Sequence, residues 1–225
     1  MSNEKRNDYF LQRGFTANFR AAGKDEEGAG HIVEGLAAVY DQETVIRDCW
    51  GEFTEVIRAG AFKDTDFSDV RLLVNHDFNG IALARSRRNN KSDKPNTMQL
   101  WVDESGVNIK ADLDTENNEQ ARALYSAISR GDMDGMSFCF YVSRENEKWN
   151  EDLTRREILK VDKVIEVSAV NFPAYEGTNI DSRSLDSDRR ALDNARTRLE
   201  SQKPKAKPDY RAKALHIMYK GAKMK

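Results

Sequence analysis

The chain predicts a mainly β fold with flanking helices, an α+β arrangement, and three observations carry that prediction. Between residues 31 and 175 short apolar runs recur with turn residues between them. Several of those runs alternate apolar and polar side chains with a period of two, and only two stretches repeat at helical spacing. A barrel or a sandwich has this pattern.

Residues 1–30 mix charge, Gly and Asn and read as a flexible N-terminal arm whose second half begins the first strand. The predicted strands are Ile32–Tyr40, Phe53–Arg58, Val70–Asn75, Met98–Asp103, Val107–Leu113, Met136–Ser143, Arg155–Val161 and Val164–Val170. The clearest is the fifth: Val107, Ile109, Ala111 and Leu113 alternate with Asn108, Lys110 and Asp112, so one face is buried and one is wet. Between Arg85 and Asn96 a polar run reads as an exposed hairpin loop. One helix interrupts the strands. Asp114 or Thr115 offers its N-cap, Ala121, Leu124, Tyr125 and Ile128 follow at helical spacing, and Gly131 supplies the stop. Residues 31–183 thus form the expected central domain, and residues 184–202 a charged helix with Leu185, Leu192 and Leu199 seven apart. Three leucines make a thin stripe, which suits packing on the barrel better than self-pairing. Residues 203–225 are a basic C-terminal tail.

At 225 residues and 25.7 kDa the chain can bury one well-cored domain and still carry tails. A charged fraction of 33% and a mean hydropathy of −0.77 fit a soluble protein. No apolar run approaches the roughly 20 residues of a membrane span, and Met1–Arg13 lacks the apolar core of a secretory signal, so a cytoplasmic protein is expected. Two cysteines, Cys49 and Cys139, suit a reducing compartment. The tail holds eight Lys or Arg against Asp209 alone, so it carries +7 and the rest of the chain −9 within a net charge of −2. Such asymmetry fits a tail that meets an acidic partner: nucleic acid, an acidic protein surface or the body of another copy. A solvated tail with no partner is the plain alternative.

The strand Gly135–Ser143 sends Met136, Phe138, Phe140 and Val142 to one face and Ser137, Cys139 and Tyr141 to the other. A serine hydroxyl there is inert unless a base takes its proton. Of three histidines, His31 lies in a Gly-rich loop and His216 in the tail, whereas His76 ends the apolar run Leu72–Val74 and opens a polar loop. His76 is therefore the candidate base. A third group must hold its tautomer. Glu166 stands mid-strand, with Ser168 on the face opposite Ile165, Val167 and Ala169, where a carboxylate is costly unless paired. Asp77 and Asp162 are weaker choices, one too close to His76 in sequence and the other in a turn. Cys139, about 6.6 Å from Ser137 along the strand, is a rival nucleophile. No metal-binding motif or phosphate-cradling Gly-rich loop occurs, so neither metal nor cofactor is expected.

Four ordered segments, EVIRAGAF at Glu55–Phe62, LVNHD at Leu73–Asp77, GDMDGMSFCF at Gly131–Phe140 and IEVSAVNFPAY at Ile165–Tyr175, resemble the prohead serine proteases of tailed bacteriophages. These are related in fold to the herpesvirus maturation protease, assemblin. The resemblance spans roughly residues 31–183 and implies a closed β-barrel surrounded by helices. It implies a serine endopeptidase with Ser137 matching the family's nucleophile, His76 its base and Glu166 its acidic third member. In assemblin a second histidine fills that third role. Two departures stand out: Cys139 replaces a usual Gly, and Ala59 a usual Pro. The implied substrates are scaffolding protein or the scaffold-like part of the major capsid protein, cleaved inside the assembling prohead in the host cytoplasm, with self-cleavage common. A non-catalytic internal scaffold is the alternative, against which the joint presence of Ser137, His76 and Glu166 speaks.

Overall fold

A computed structural model describes residues 8–16, 19–24, 31–48, 51–87, 96–172 and 182–202. In chain order these hold β1 (Asp8–Thr16), β2 (Arg20–Lys24), β3 (His31–Val39), β4 (Thr44–Asp48), β5 (Gly51–Ile57), β6 (Val70–Val74), β7 (Ala84–Ser86), β8 (Met98–Val102) and β9 (Gly106–Leu113). After these come α1 (Glu119–Arg130), β10 (Gly135–Ser143), β11 (Glu147–Trp149), β12 (Arg155–Ile158), β13 (Lys163–Val170) and α2 (Ser182–Gln202).

The mainly β prediction holds, but a single closed barrel does not form among the described residues. The strands divide into three sheets, ordered β1-β10-β13-β6-β7, β11-β12-β5-β4 and β2-β3-β9-β8. They meet through side chains instead of continuous hydrogen bonding, around one core that draws Leu11, Leu72, Phe138, Phe140 and Val167 from the first sheet, Ile57 and Ile158 from the second and Val33, Ile109 and Ala111 from the third. Register shifts at Ala21/Gly23, Leu36/Ala38 and Cys139/Phe140 bend the strands where they wrap that core.

Within the expected flexible arm, the described residues 8–16 and 20–24 form strands. β1 pairs antiparallel with β10 from Asp8↔Ser143 to Thr16↔Gly135, and β2 pairs with β3. The physical reason is alternation: Tyr9 and Leu11 bury on the core face, which makes the segment a half-buried strand. The fold therefore begins before His31.

Asn118, not Asp114 or Thr115, caps α1. Its side-chain oxygen accepts from the backbone N–H of Gln120 at 2.9 Å and Ala121 at 3.3 Å, while Asp114 closes the preceding turn by accepting from Asn117 N. Gly131 ends the helix in the left-handed region at φ 74°, as expected of a C-terminal glycine. α2 lies against β1 through Ser187, Asp188, Ala191 and Ala195, all buried, whereas Leu192 and Leu199 are only half-buried. The basic tail and Cys49 lie outside the described residues.

Candidate active site

The site grows out of the pairing of β10 with β13. Ser137 faces Ser168 across the ladder and Cys139 faces Glu166. Opposed residues share a face, so all four side chains stand on the side of the sheet away from Phe138, Phe140 and Val167. The register shift after Cys139 changes one expectation. Val164, not Ile165, is the core residue opposite Phe140, and Ile165 occupies the bulge.

β6 runs parallel to β13 with Val74 opposite Ala169, and the chain then turns sharply. Asn75 and His76 both lie in the left-handed region, at φ 49° and 57°. Asn tolerates that conformation better than most residues, and the second such residue in a row stores strain on the order of 1–3 kcal/mol. The turn is fastened to β13: Asn75 N donates to Ala169 O at 2.9 Å, Asn171 N donates to Asn75 Oδ1 at 3.1 Å and His76 N donates to Ser168 Oγ at 3.1 Å.

This turn lays the imidazole over the polar face of the sheet. His76 Nε2 is 2.7 Å from Ser137 Oγ, and His76 Nδ1 is 2.7 Å from Glu166 Oε1. The second carboxylate oxygen of Glu166 accepts from Ser168 Oγ at 2.6 Å. Glu166 is 1% exposed, so both its oxygens are satisfied by protein partners. A carboxylate at Nδ1 fixes the proton there and leaves Nε2 as the acceptor facing the serine. Ser137, itself 2% exposed, also lies 2.9 Å from the Arg13 carbonyl oxygen of β1. Its one proton thus has two acceptors to choose between.

All three sequence-predicted residues therefore converge. The weaker alternatives do not: Asp77 accepts from Asn79 N within its own turn, and Asp162 holds Ser143 N and the Asn146 side chain. His31 is bonded to Thr115 and packed on Tyr125. Ser168 and Asn75, which complete the site, were not singled out by sequence. The signal for Ser168 was its two-residue spacing from Glu166, which puts both on one face. Cys139 Sγ sits 3.6 Å from His76 Nδ1, completely buried. A cleft of about 540 Å³ opens beside the His76 turn, with Val74, Ile81 and Leu83 on one wall and Leu124, Ala127 and Met133 on the other.

Behind the site, the Arg13 side chain points to the core face and enters a buried ion cluster. Its guanidinium bonds Glu55 at 2.5 and 2.9 Å and Asp188 at 2.8 Å. Arg156, wholly buried, reaches Glu55 and Asp188 at 3.0 Å each and Glu147 at 2.8 Å. Burial pushes the Glu55 carboxyl up, but the Arg13 and Arg156 guanidiniums outweigh it and hold that group below its ordinary range. For Asp188 burial prevails over the same two arginines, and the carboxyl is raised. The cluster links β1, β5, β11, β12 and α2, and so anchors the strand whose carbonyl touches Ser137.

A model of the caudovirus prohead serine protease family matches residues 18–191. The chain belongs to this family. β2 through the first half of α2 lie inside the matched stretch, and β1 precedes it. Among solved structures, the bacteriophage T4 capsid assembly protease, gp21, is similar with a TM-score of 0.42 and 12% identity, over 73% of this chain and 98% of that one. No curated protein matches the sequence. Among the described residues of this family member, no helix is long and apolar enough to cross a membrane.

Proposed function

We propose that the chain is a serine endopeptidase in which Ser137 is the nucleophile, His76 the general base and acid, and Glu166 the group that orients His76. The observation that carries this reading is the continuous hydrogen-bond chain Ser137–His76–Glu166–Ser168, with links of 2.7, 2.7 and 2.6 Å. Ser137 Oγ attacks the scissile carbonyl as its proton passes to His76 Nε2. The imidazolium, stabilised by the Glu166 carboxylate, then returns that proton to the leaving amine. Water repeats the sequence on the acyl-enzyme, with His76 again as base, and frees the new carboxyl end. Membership of a prohead protease family supports scaffolding protein, or the scaffold-like part of the major capsid protein, as substrate, cleaved inside the prohead, together with the protease's own chain.

The test is co-production of the protein, or its Ser137→Ala variant, with the cognate capsid and scaffolding proteins, followed by mass analysis of every chain terminus. New termini with the wild type and none with the variant are expected. Unclipped capsid proteins in both would replace the protease reading with a purely structural role in assembly. The basic tail, residues 203–225, is read as the segment that recruits the enzyme to acidic scaffold. Its deletion leaves hydrolysis of a free peptide intact and lowers incorporation into proheads, and unchanged incorporation rejects that role.

A further inference from the structure

We propose that His76, Cys139 and Glu166 form a zinc site whose occupation switches the peptidase off. Cys139 and Glu166 oppose one another in the β10–β13 register, and His76 lies over both. One donor atom from each, Nδ1, Sγ and a carboxylate oxygen, lies within 4.8 Å of the others. Thiolate, imidazole and carboxylate together are a zinc set, too soft for calcium or magnesium. Zinc bonds of about 2.05 Å to nitrogen and 2.3 Å to sulfur at a tetrahedral angle separate those atoms by about 3.6 Å. That is the Nδ1···Sγ distance here, 3.6 Å. The Nδ1···Oε1 contact of 2.7 Å opens by roughly 0.6 Å when the ion replaces the shared proton, and water fills the fourth position. The hydrolytic chemistry above has no use for Cys139, yet its thiol is buried against the catalytic imidazole.

The balance of the step gives its consequence. One Zn²⁺ enters, the Cys139 thiol proton leaves to solvent, and the imidazole proton moves from Nδ1 to Nε2. A protonated Nε2 cannot accept from Ser137, so the base is blocked and the orienting carboxylate is diverted to the metal. Binding stands on the three side chains alone, whereas the switch rests on the peptidase reading.

Full-length Ser137→Ala protein, which cannot shorten itself by the proposed chemistry, is titrated with Co²⁺ and then Zn²⁺. One equivalent of Co²⁺ should give a thiolate-to-metal charge-transfer band in the near ultraviolet, displaced by Zn²⁺. The band should vanish when Cys139→Ala or the nearly isosteric Cys139→Ser is added and persist with Cys49→Ser. In the chain that keeps Ser137, Zn²⁺ should abolish peptide hydrolysis and a chelator restore it. Cys139→Ser should hydrolyse without zinc and need at least about ten-fold more zinc for half-inhibition. No band, or a band that survives both Cys139 substitutions, overturns the site. Full hydrolysis at saturating zinc overturns the switch. A chain inactive without zinc fails the peptidase reading, and the Co²⁺ titration still decides the site.

Discussion

Ser137 has one hydroxyl proton and two acceptors, His76 Nε2 at 2.7 Å and the Arg13 carbonyl at 2.9 Å, and only the first orientation delivers the proton to a base. If Ser137 and His76 act as a unit, as proposed, Ser137→Ala and His76→Ala should each lower turnover by about 10⁶-fold, with the double variant no worse. Glu166→Gln, which disturbs the tautomer, should cost about 10⁴-fold. Ser168→Ala removes one bond to a buried carboxylate, worth about 1.5–3 kcal/mol, or roughly ten- to a hundred-fold in rate. Peptide hydrolysis read as kcat and KM separately checks all four, and an unchanged kcat in Ser168→Ala would reduce that residue to packing. Ser137, His76 and Glu166 were legible in sequence because each is unusual locally: a hydroxyl opposite an aromatic row, an imidazole closing an apolar strand, a carboxylate inside one. Ser168 and Asn75 are ordinary strand and turn residues by that measure. Their roles arise from the partners that pairing brings to them.

The helices and strands follow their patterns where one face is clearly buried, as in β9, and depart where two signals compete. Asp114, Thr115 and Asn118 are all acceptable caps, and the choice fell to Asn118 because Asp114 is engaged in the preceding turn. Asn118→Ala should cost about 1 kcal/mol. β9 opens with Gly106 at φ 143°, where an added Cβ would stand 2.0 Å from the Ala38 carbonyl oxygen of the neighbouring strand. Backbone strain and collision combine there, so Gly106→Ala should lose about 2–4 kcal/mol. Thermal unfolding should register that loss as a drop of roughly 4–16 °C in Tm, and an unchanged Tm would refute the close approach. β1 escaped the strand reading because its flanks are polar, although Tyr9 and Leu11 alternate correctly. The bulge at Ile165 was not readable at all, since it depends on the register with β10.

Across the whole molecule, buried Arg13 and Arg156 face buried Glu55, Glu147 and Asp188, and half-buried Arg198 reaches Glu147 from the rim to bring the formal charges to three of each sign. Arg156→Met should destabilise by about 3–5 kcal/mol, because three carboxylates lose a buried partner, and denaturant unfolding measures it. The acid limb separates the two central acids. Glu55 is held below its ordinary 4.5, so its contribution is full above that pH and fades as pH falls through the folded value. Asp188 is raised above its ordinary 3.8, and its contribution has the opposite sign, declining as pH rises towards the folded value. Glu55→Gln should therefore flatten the loss of Tm on acidification, and Asp188→Asn should steepen it. By itself the sequence determined the β-rich class, the end of α1 at Gly131, the charged C-terminal helix and the three side chains that meet at the candidate site, because each is written in local alternation or in a residue type costly to bury without a purpose. Only tertiary structure decided that three sheets surround the core in place of one closed barrel, that β1 belongs to the fold, and that Ser168, Cys139 and Arg13 converge on His76 and Ser137. Those outcomes depend on register between strands up to 135 residues apart in the chain, and no local pattern encodes register at that range.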